Sequence, residues 1–476
     1  MLCKTILAAA SICLTLAAHA QTPIRITADL SETPRKLYHA DIDIPVTSGP
    51  LTLTSPKWIP GTHRPTPLVD SITGVVFTAN RRDGEKTTLP WRRDNIDMFE
   101  FHLDIPPGVT TLHAHLDLLN PGRQTTKLAA LEWEGLLLYP ANIPVKDIPI
   151  QPSVTVPAGW GIGTALTPVG APVAATISEA PAMTQTFAPT TVEQLEDSPV
   201  DTGLYFREYR LAPEISPQHF LDVVADEPED ANLRPETLAE IANLVREADA
   251  MYKSHHYNHY HLLLTLTDAT TGQGLEHGQS SDNGVGEKDF SDDAHQLAVA
   301  DLLSHEFTHS WNGKYRRPAR LYQPDFATAQ QGDLLWVYEG MTQYLGNVLA
   351  ARAGLKNQQQ YRELLAISAA NLDYKPGREW RSTEDTAIAS SILRGGTPSW
   401  SNWKRGQDYY QEGELLWLDA DTLIRKLTND KKSLNDFEAI FLGKDGNTGP
   451  LIVPYERPEL IADLNQVVPY DWAKFL

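Results

Sequence analysis

The chain has 476 residues, of which 41% are hydrophobic and 21% charged, with 34 Pro and 30 Gly. That is globular composition, which excludes a disordered or fibrous chain, and the length suits two or three domains. Lys and Arg number 40 against 61 Asp and Glu, a net charge of −21. Such a chain lacks the basic footprint that a phosphate backbone or an anionic lipid surface requires, so no nucleic-acid partner is expected.

In chain order, the first twenty residues read as a secretory signal peptide. Lys4 supplies a short positive n-region, Thr5 to Ala18 an apolar run too short to span a bilayer, and Ala18-His19-Ala20 a small-x-small cleavage site before Gln21. The expectation is an exported protein, periplasmic or extracellular, with no membrane span. Cys3 and Cys13 both fall in this segment, and Cys13 follows Ile12 rather than the small residue of a lipoprotein site. The mature chain then has no disulfide, no thiolate nucleophile and no Cys-ligated metal.

From Gln21 to about Leu211 the hydrophobic period is two. Tyr38, Ala40, Ile42 and Ile44 alternate with His39, Asp41 and Asp43; Phe99 to Ile105 and Leu112 to Leu118 behave alike. These are half-buried antiparallel strands, punctuated by Ile59-Pro60-Gly61 and Pro106-Pro107-Gly108. His113 and His115 fall on the polar face and read as solvated surface rather than metal ligands. An all-β domain over residues 21–212 is predicted.

After Pro213 the period becomes helical. Leu238, Ile241, Val245, Ala248 and Met251 share one face behind Pro235. A strand is predicted over His259–Thr267. A helix should start at Ser291, which would cap it with Asp292 and Asp293 in the first turn, and run to about Trp311. Another runs from about Asp333 to a C-terminal Gly354, with more at Gln358–Leu372 and Tyr409–Leu427. The fold class is α+β, with a mainly helical second domain over 213–476.

The chemistry concentrates in Leu303-Ser304-His305-Glu306-Phe307-Thr308-His309-Ser310-Trp311-Asn312. Two His four apart on a helix lie one turn above each other and can hold one zinc, and Glu306 beside them can take a proton from water on the metal. A catalytic zinc takes a third protein ligand. Glu339 is the candidate, a carboxylate in the apolar stretch Leu335–Tyr344, where charge is rarely buried unless paired or bound to metal. Gln343, one turn on, is positioned to accept the N–H of a ligating His. Upstream, Gly272-Gln273-Gly274-Leu275-Glu276-His277-Gly278 follows the predicted strand. Gly274 would let the backbone approach a substrate, and Glu276 would offer an anion for a free α-amino group. His255, His256, His259 and His261 form a second His-rich tract, read as surface rather than as another metal cluster. Tyr409 and Tyr410 offer a phenol for an oxyanion, and spacing does not say which.

These residues resemble the glycyl-aminopeptidase-type metallopeptidases, gluzincins that usually carry a C-terminal PDZ domain. The resemblance lies in His305–Asn312 with Gly313-Lys314-Tyr315-Arg316-Arg317-Pro318, in Trp336–Tyr344, in Gly274–His277 and in Leu195-Glu196-Asp197-Ser198-Pro199-Val200. It implies an N-terminal β domain on a thermolysin-like catalytic domain. It also implies zinc, one per chain, on His305, His309 and Glu339, with Glu306 as general base. Glu276 then holds the substrate amine and Tyr410, in Tyr-Gln-Glu-Gly, the oxyanion, although Glu412 stands where the family has Lys. Peptides with a free N-terminus and a small first residue, glycine or alanine, are the implied substrates. The family continues into its PDZ domain past the segment matched by Tyr470–Leu476, so that domain is expected to be absent, either naturally or by truncation. The rival expectations are a zinc endopeptidase, with Glu276 only structural, and a non-catalytic scaffold stabilised by metal.

Overall fold

The computed structural model describes residues 22–66, 68–81, 84, 86–177, 180–269, 272–394, 396 and 399–476. The expected signal peptide lies outside the described residues.

The alternating segments form the strands expected of them. β1 (Ile24–Asp29), β2 (Leu37–Pro45) and β3 (Val109–Leu119) sit side by side in a large sheet, and β4 (Pro149–Pro157) runs parallel to β1 on its other side. Tyr38, Ala40, Ile42, Ile44, Leu112, Ala114 and Leu116 are all fully buried on one face. The period of two sends the alternate residues to solvent. There His39, Asp41 and Asp43 lie opposite Asp117, His115 and His113. Each imidazole pairs with a carboxylate across the strands, at 2.6 Å for His39–Asp117, 2.9 Å for His115–Asp41 and 3.0 Å for His113–Asp43. His113 and His115 are thus partnered surface.

A second sheet begins at β5 (Tyr205–Leu211). β5 pairs antiparallel with β6 (His219–Ala225), which is followed by parallel β7 (Tyr260–Leu266), then by β9 (Ser280–Val285) and antiparallel β8 (Gln273–Glu276) at the edge. One sheet therefore spans the chain on both sides of residue 212, and the strand-rich part extends to Ala225. The helix α1 (Pro235–Tyr252), with Pro235 in its first turn, makes the crossover from β6 to β7.

The predicted helix over 291–311 is two helices, α2 (Asp293–Val299) and α3 (Leu302–Thr308). Its cap is Asp292, whose carboxylate accepts from the Ala294 and His295 N–H groups, in place of Ser291. The break falls at Asp301. That side chain turns away to Gln343 (3.3 Å) and Lys356 (3.6 Å), tertiary partners that the apolar period could not reveal. α4 (Leu335–Ala353) is buried nearly all round and ends at Gly354 with φ +100°, the left-handed C-terminal glycine expected. Beyond it lie Gln358–Asp373 and α5 (Tyr409–Thr428), which packs along α4.

Candidate metal centre

His305 lies in the last turn of α3 and His309 caps its end, so the two imidazoles share one face and meet edge to face. Their Nε2 atoms are 3.1 Å apart. Glu339 enters from the first turns of α4, with Oε2 3.1 Å from His309 Nε2 and 3.4 Å from His305 Nε2. A tetrahedral zinc with bonds of ~2.0–2.1 Å needs donor atoms about 3.3 Å apart, so this buried triangle has the dimensions of one face of a zinc site.

The electrostatics are compatible with a cation at the same place. Burial pulls the His309 imidazole down, yet the carboxylates of Glu339 and Glu276 outweigh it and lift it to about 9. Burial pushes Glu339 up, but His309 and His63 hold it well below the usual carboxylate range. Without a metal, a proton on imidazole offsets charge that a divalent ion would neutralise.

Local packing fixes the ligands. His309 Nδ1 donates to the Asn312 carbonyl at 2.9 Å, which leaves Nε2 as the lone-pair atom toward Glu339. The Asn312 amide donates to the Val337 carbonyl (2.9 Å), the Tyr338 carbonyl (3.1 Å) and Thr342 Oγ1 (3.0 Å), latching the end of α3 to the start of α4. Gly346 lets the helices close: a Cβ there would lie 2.9 Å from His305 Cα. Gln343 does not take the role expected of it. It donates to Asp301, and His305 Nδ1 has no hydrogen-bond partner among the described residues.

Two more carboxylates face the triangle. Burial pushes Glu306 up to about 7, more than His305 and His309 pull it down. Edge strand β8 runs beside α3 and brings Gly274 against Glu306; a Cβ at 274 would sit 2.1 Å from Glu306 Oε1. Gly274 thus makes room for the carboxylate itself. Glu276, two residues on, is buried and accepts a hydrogen bond from the Tyr338 hydroxyl. Burial raises its carboxyl, but His309 and Lys314 outweigh that and leave it lowered, hence anionic. One donor atom from each of Glu276, Glu306 and His309 lies within 4.8 Å of the others.

Tyr410 is half-buried at the start of α5, its ring stacked 5.9 Å from that of His305. Arg394 Nη1 donates to its hydroxyl at 3.2 Å. Tyr410 reaches the centre because α4 and α5 cross glycine on glycine, with Gly340 against Gly413. Glu412, one residue earlier, turns outward to Arg378 (2.9 Å), Arg405 and Thr383. Its charge is met by those two arginines.

The second His tract holds no ligand cluster among the described residues. His261 pairs with Asp222 at 2.6 Å, and His256 is buried between Thr448 and the Leu442 carbonyl, so burial rather than surface explains the latter.

Sequence reasoning missed His63 and Arg394. His63 is buried at φ +55° in the loop after Pro60-Gly61, and its Nε2 hydrogen-bonds Glu339 Oε1. Its only sequence signal was a Pro-Gly turn followed by a histidine. Arg394 had none.

Residues 298–416 match the family model described as M61 glycyl aminopeptidase, and residues 7–204 match that of the Peptidase M61 N-terminal domain. The fold is similar to that of an aminopeptidase N family protein from Idiomarina loihiensis, with a TM-score of 0.76 over 95% of this chain and 75% of that one. At 19% identity, that likeness shows the fold. No curated protein matches the chain in sequence.

Proposed function

The chain belongs to the M61 glycyl aminopeptidase family and is a peptidase, and from that premise we propose that it is an exported zinc aminopeptidase removing small N-terminal residues, glycine or alanine, from peptides. The observation that carries this reading is the buried triangle of His305, His309 and Glu339 with Glu306 and Glu276 against it. Two imidazoles and one carboxylate, with no thiolate in the mature chain, suit zinc with an open position. One ion per chain would be held by those three residues. Export rests on the pattern of the first twenty residues.

Zinc held by His305, His309 and Glu339 would supply a Lewis acid able to lower the pKa of a water and polarise a carbonyl. Glu306 takes the proton from the attacking water and later hands it to the leaving amine. Its raised pKa suits both duties. The Tyr410 hydroxyl donates to the carbonyl oxygen as negative charge develops there, and Arg394 orients that hydroxyl. Glu276 accepts the substrate's ammonium group, held rigid by Tyr338 and by Gly61, where a Cβ would lie 2.7 Å from Glu276 Oε2. Edge strand β8 leaves backbone groups free for an extended peptide to pair with.

The purified mature protein should contain about one zinc per chain, and a chelator should abolish activity reversibly. Glu306→Gln should retain the metal, because Glu306 is not a ligand, and lose ~10²–10⁴ in kcat. Full turnover in folded Glu306→Gln would refute the mechanism, whereas a zinc-loaded wild type that cleaves no peptide would favour a metal-stabilised scaffold.

A further inference from the structure

The geometry points to His63 as a positioning residue that makes Glu339 bind its metal through one oxygen only. The inference rests on the zinc reading above. Glu339 divides its two oxygens cleanly: Oε2 faces both ligand imidazoles at 3.1 and 3.4 Å, and Oε1 faces His63 Nε2. His63 and Glu339 are both buried, so no water competes for that oxygen. A carboxylate with both oxygens free can take two positions on a metal, and an oxygen already accepting an N–H is the weaker donor of the two. The loop is shaped for this. His63 adopts a left-handed backbone at φ +55°, a conformation histidine accepts more readily than most residues, and its ring meets Tyr338 edge-on at 5.4 Å. The donor comes from the strand-rich N-terminal part, so the metal centre is completed only when the two parts of the chain dock.

The test compares zinc-loaded full-length wild type with His63→Gln and His63→Asn. A glutamine amide reaches about where Nε2 lies, whereas an asparagine amide reaches only the place of Nδ1. Asparagine is the better residue for a left-handed backbone, so a purely structural role would favour His63→Asn. The expected order is the reverse. His63→Asn should bind zinc roughly ten- to a hundredfold more weakly in chelator competition, and His63→Gln should recover most of that loss. The visible spectrum of the cobalt-substituted His63→Asn protein should weaken toward that of a five-coordinate ion, with the His63→Gln spectrum staying like wild type. Thermal unfolding of the metal-free proteins reports whether each variant is folded, and His63→Asn should match or exceed His63→Gln there. Equal zinc affinity and equal spectra in both variants would overturn the assignment. A wild type that holds no tight metal would overturn the zinc reading and this inference with it, which separates the two failures.

Discussion

Glu306 and Glu276 are two buried carboxylates whose surroundings drive them in opposite directions, one up to about 7 and the other down. In the proposed mechanism that separation suits one to proton transfer and the other to holding a cation. Both were legible in the sequence, because a His-Glu-x-x-His run and a glycine-flanked acid are local patterns. His63 was not. Its partner Glu339 lies 276 residues away, and nothing in a Pro-Gly turn says where the next side chain will point. A third buried acid, Glu438, has no visible duty. It is fully buried, neither carboxylate oxygen has a partner among the described residues, and burial lifts it to about 8. Between about 4.3, its unfolded value, and about 8 the native state holds the extra proton, so this stabilising contribution is complete at low pH and is lost as pH rises through 8. Glu438→Gln should remove that slope. Its melting temperature relative to wild type should therefore climb across a pH series from about 5 to 9, and a pH-independent difference would contradict the account.

Helices place the chemistry by close approach rather than by sequence distance. A Cβ on Gly340 would come within 2.6 Å of Gly413 Cα, so α4 and α5 touch backbone to backbone where Glu339 is the adjacent residue on one helix and Tyr410 lies one turn before the contact on the other. Gly413→Ala should force the helices apart at a cost of about 1–3 kcal/mol. With α4 latched to α3 through Asn312, the displacement should fall on α5 and Tyr410, so kcat should fall with zinc content unchanged; metal analysis beside kinetics checks this. Most elements could be read from period alone, as with β2, β3, α1 and α5, since one buried face imposes the pattern. The split between α2 and α3 could not. Its apolar positions run on as if one helix continued, and the break is decided by Asp301 reaching Gln343 and Lys356.

Across the whole molecule, the strand-rich N-terminal part is joined to the catalytic sheet by buried charge. Arg123 donates to Asp282 on β9 and lies 3.8 Å from Asp201, all three nearly or wholly inaccessible. Burial and the neighbouring Asp282 lift Asp201 to about 7. Removing the guanidinium leaves those carboxylates uncompensated, so Arg123→Met should destabilise the fold by about 3–5 kcal/mol, read from denaturant unfolding. The same docking carries Gly61 and His63 into the candidate metal centre, so the proposed activity needs both parts of the chain together. Whether that activity begins at a free N-terminus turns on Glu276. A charge-assisted hydrogen bond to the substrate ammonium is worth about 1.5–3 kcal/mol. The deciding measurement is kcat/KM for one short peptide, free and N-acetylated, with wild type and Glu276→Ala at equal zinc content. The account predicts that wild type strongly prefers the free peptide, and that the substitution lowers kcat/KM on it roughly ten- to more than a hundredfold while costing the acetylated peptide far less. Equal cleavage of both peptides by wild type, or an equal loss on both in Glu276→Ala, would contradict an aminopeptidase and point to an endopeptidase.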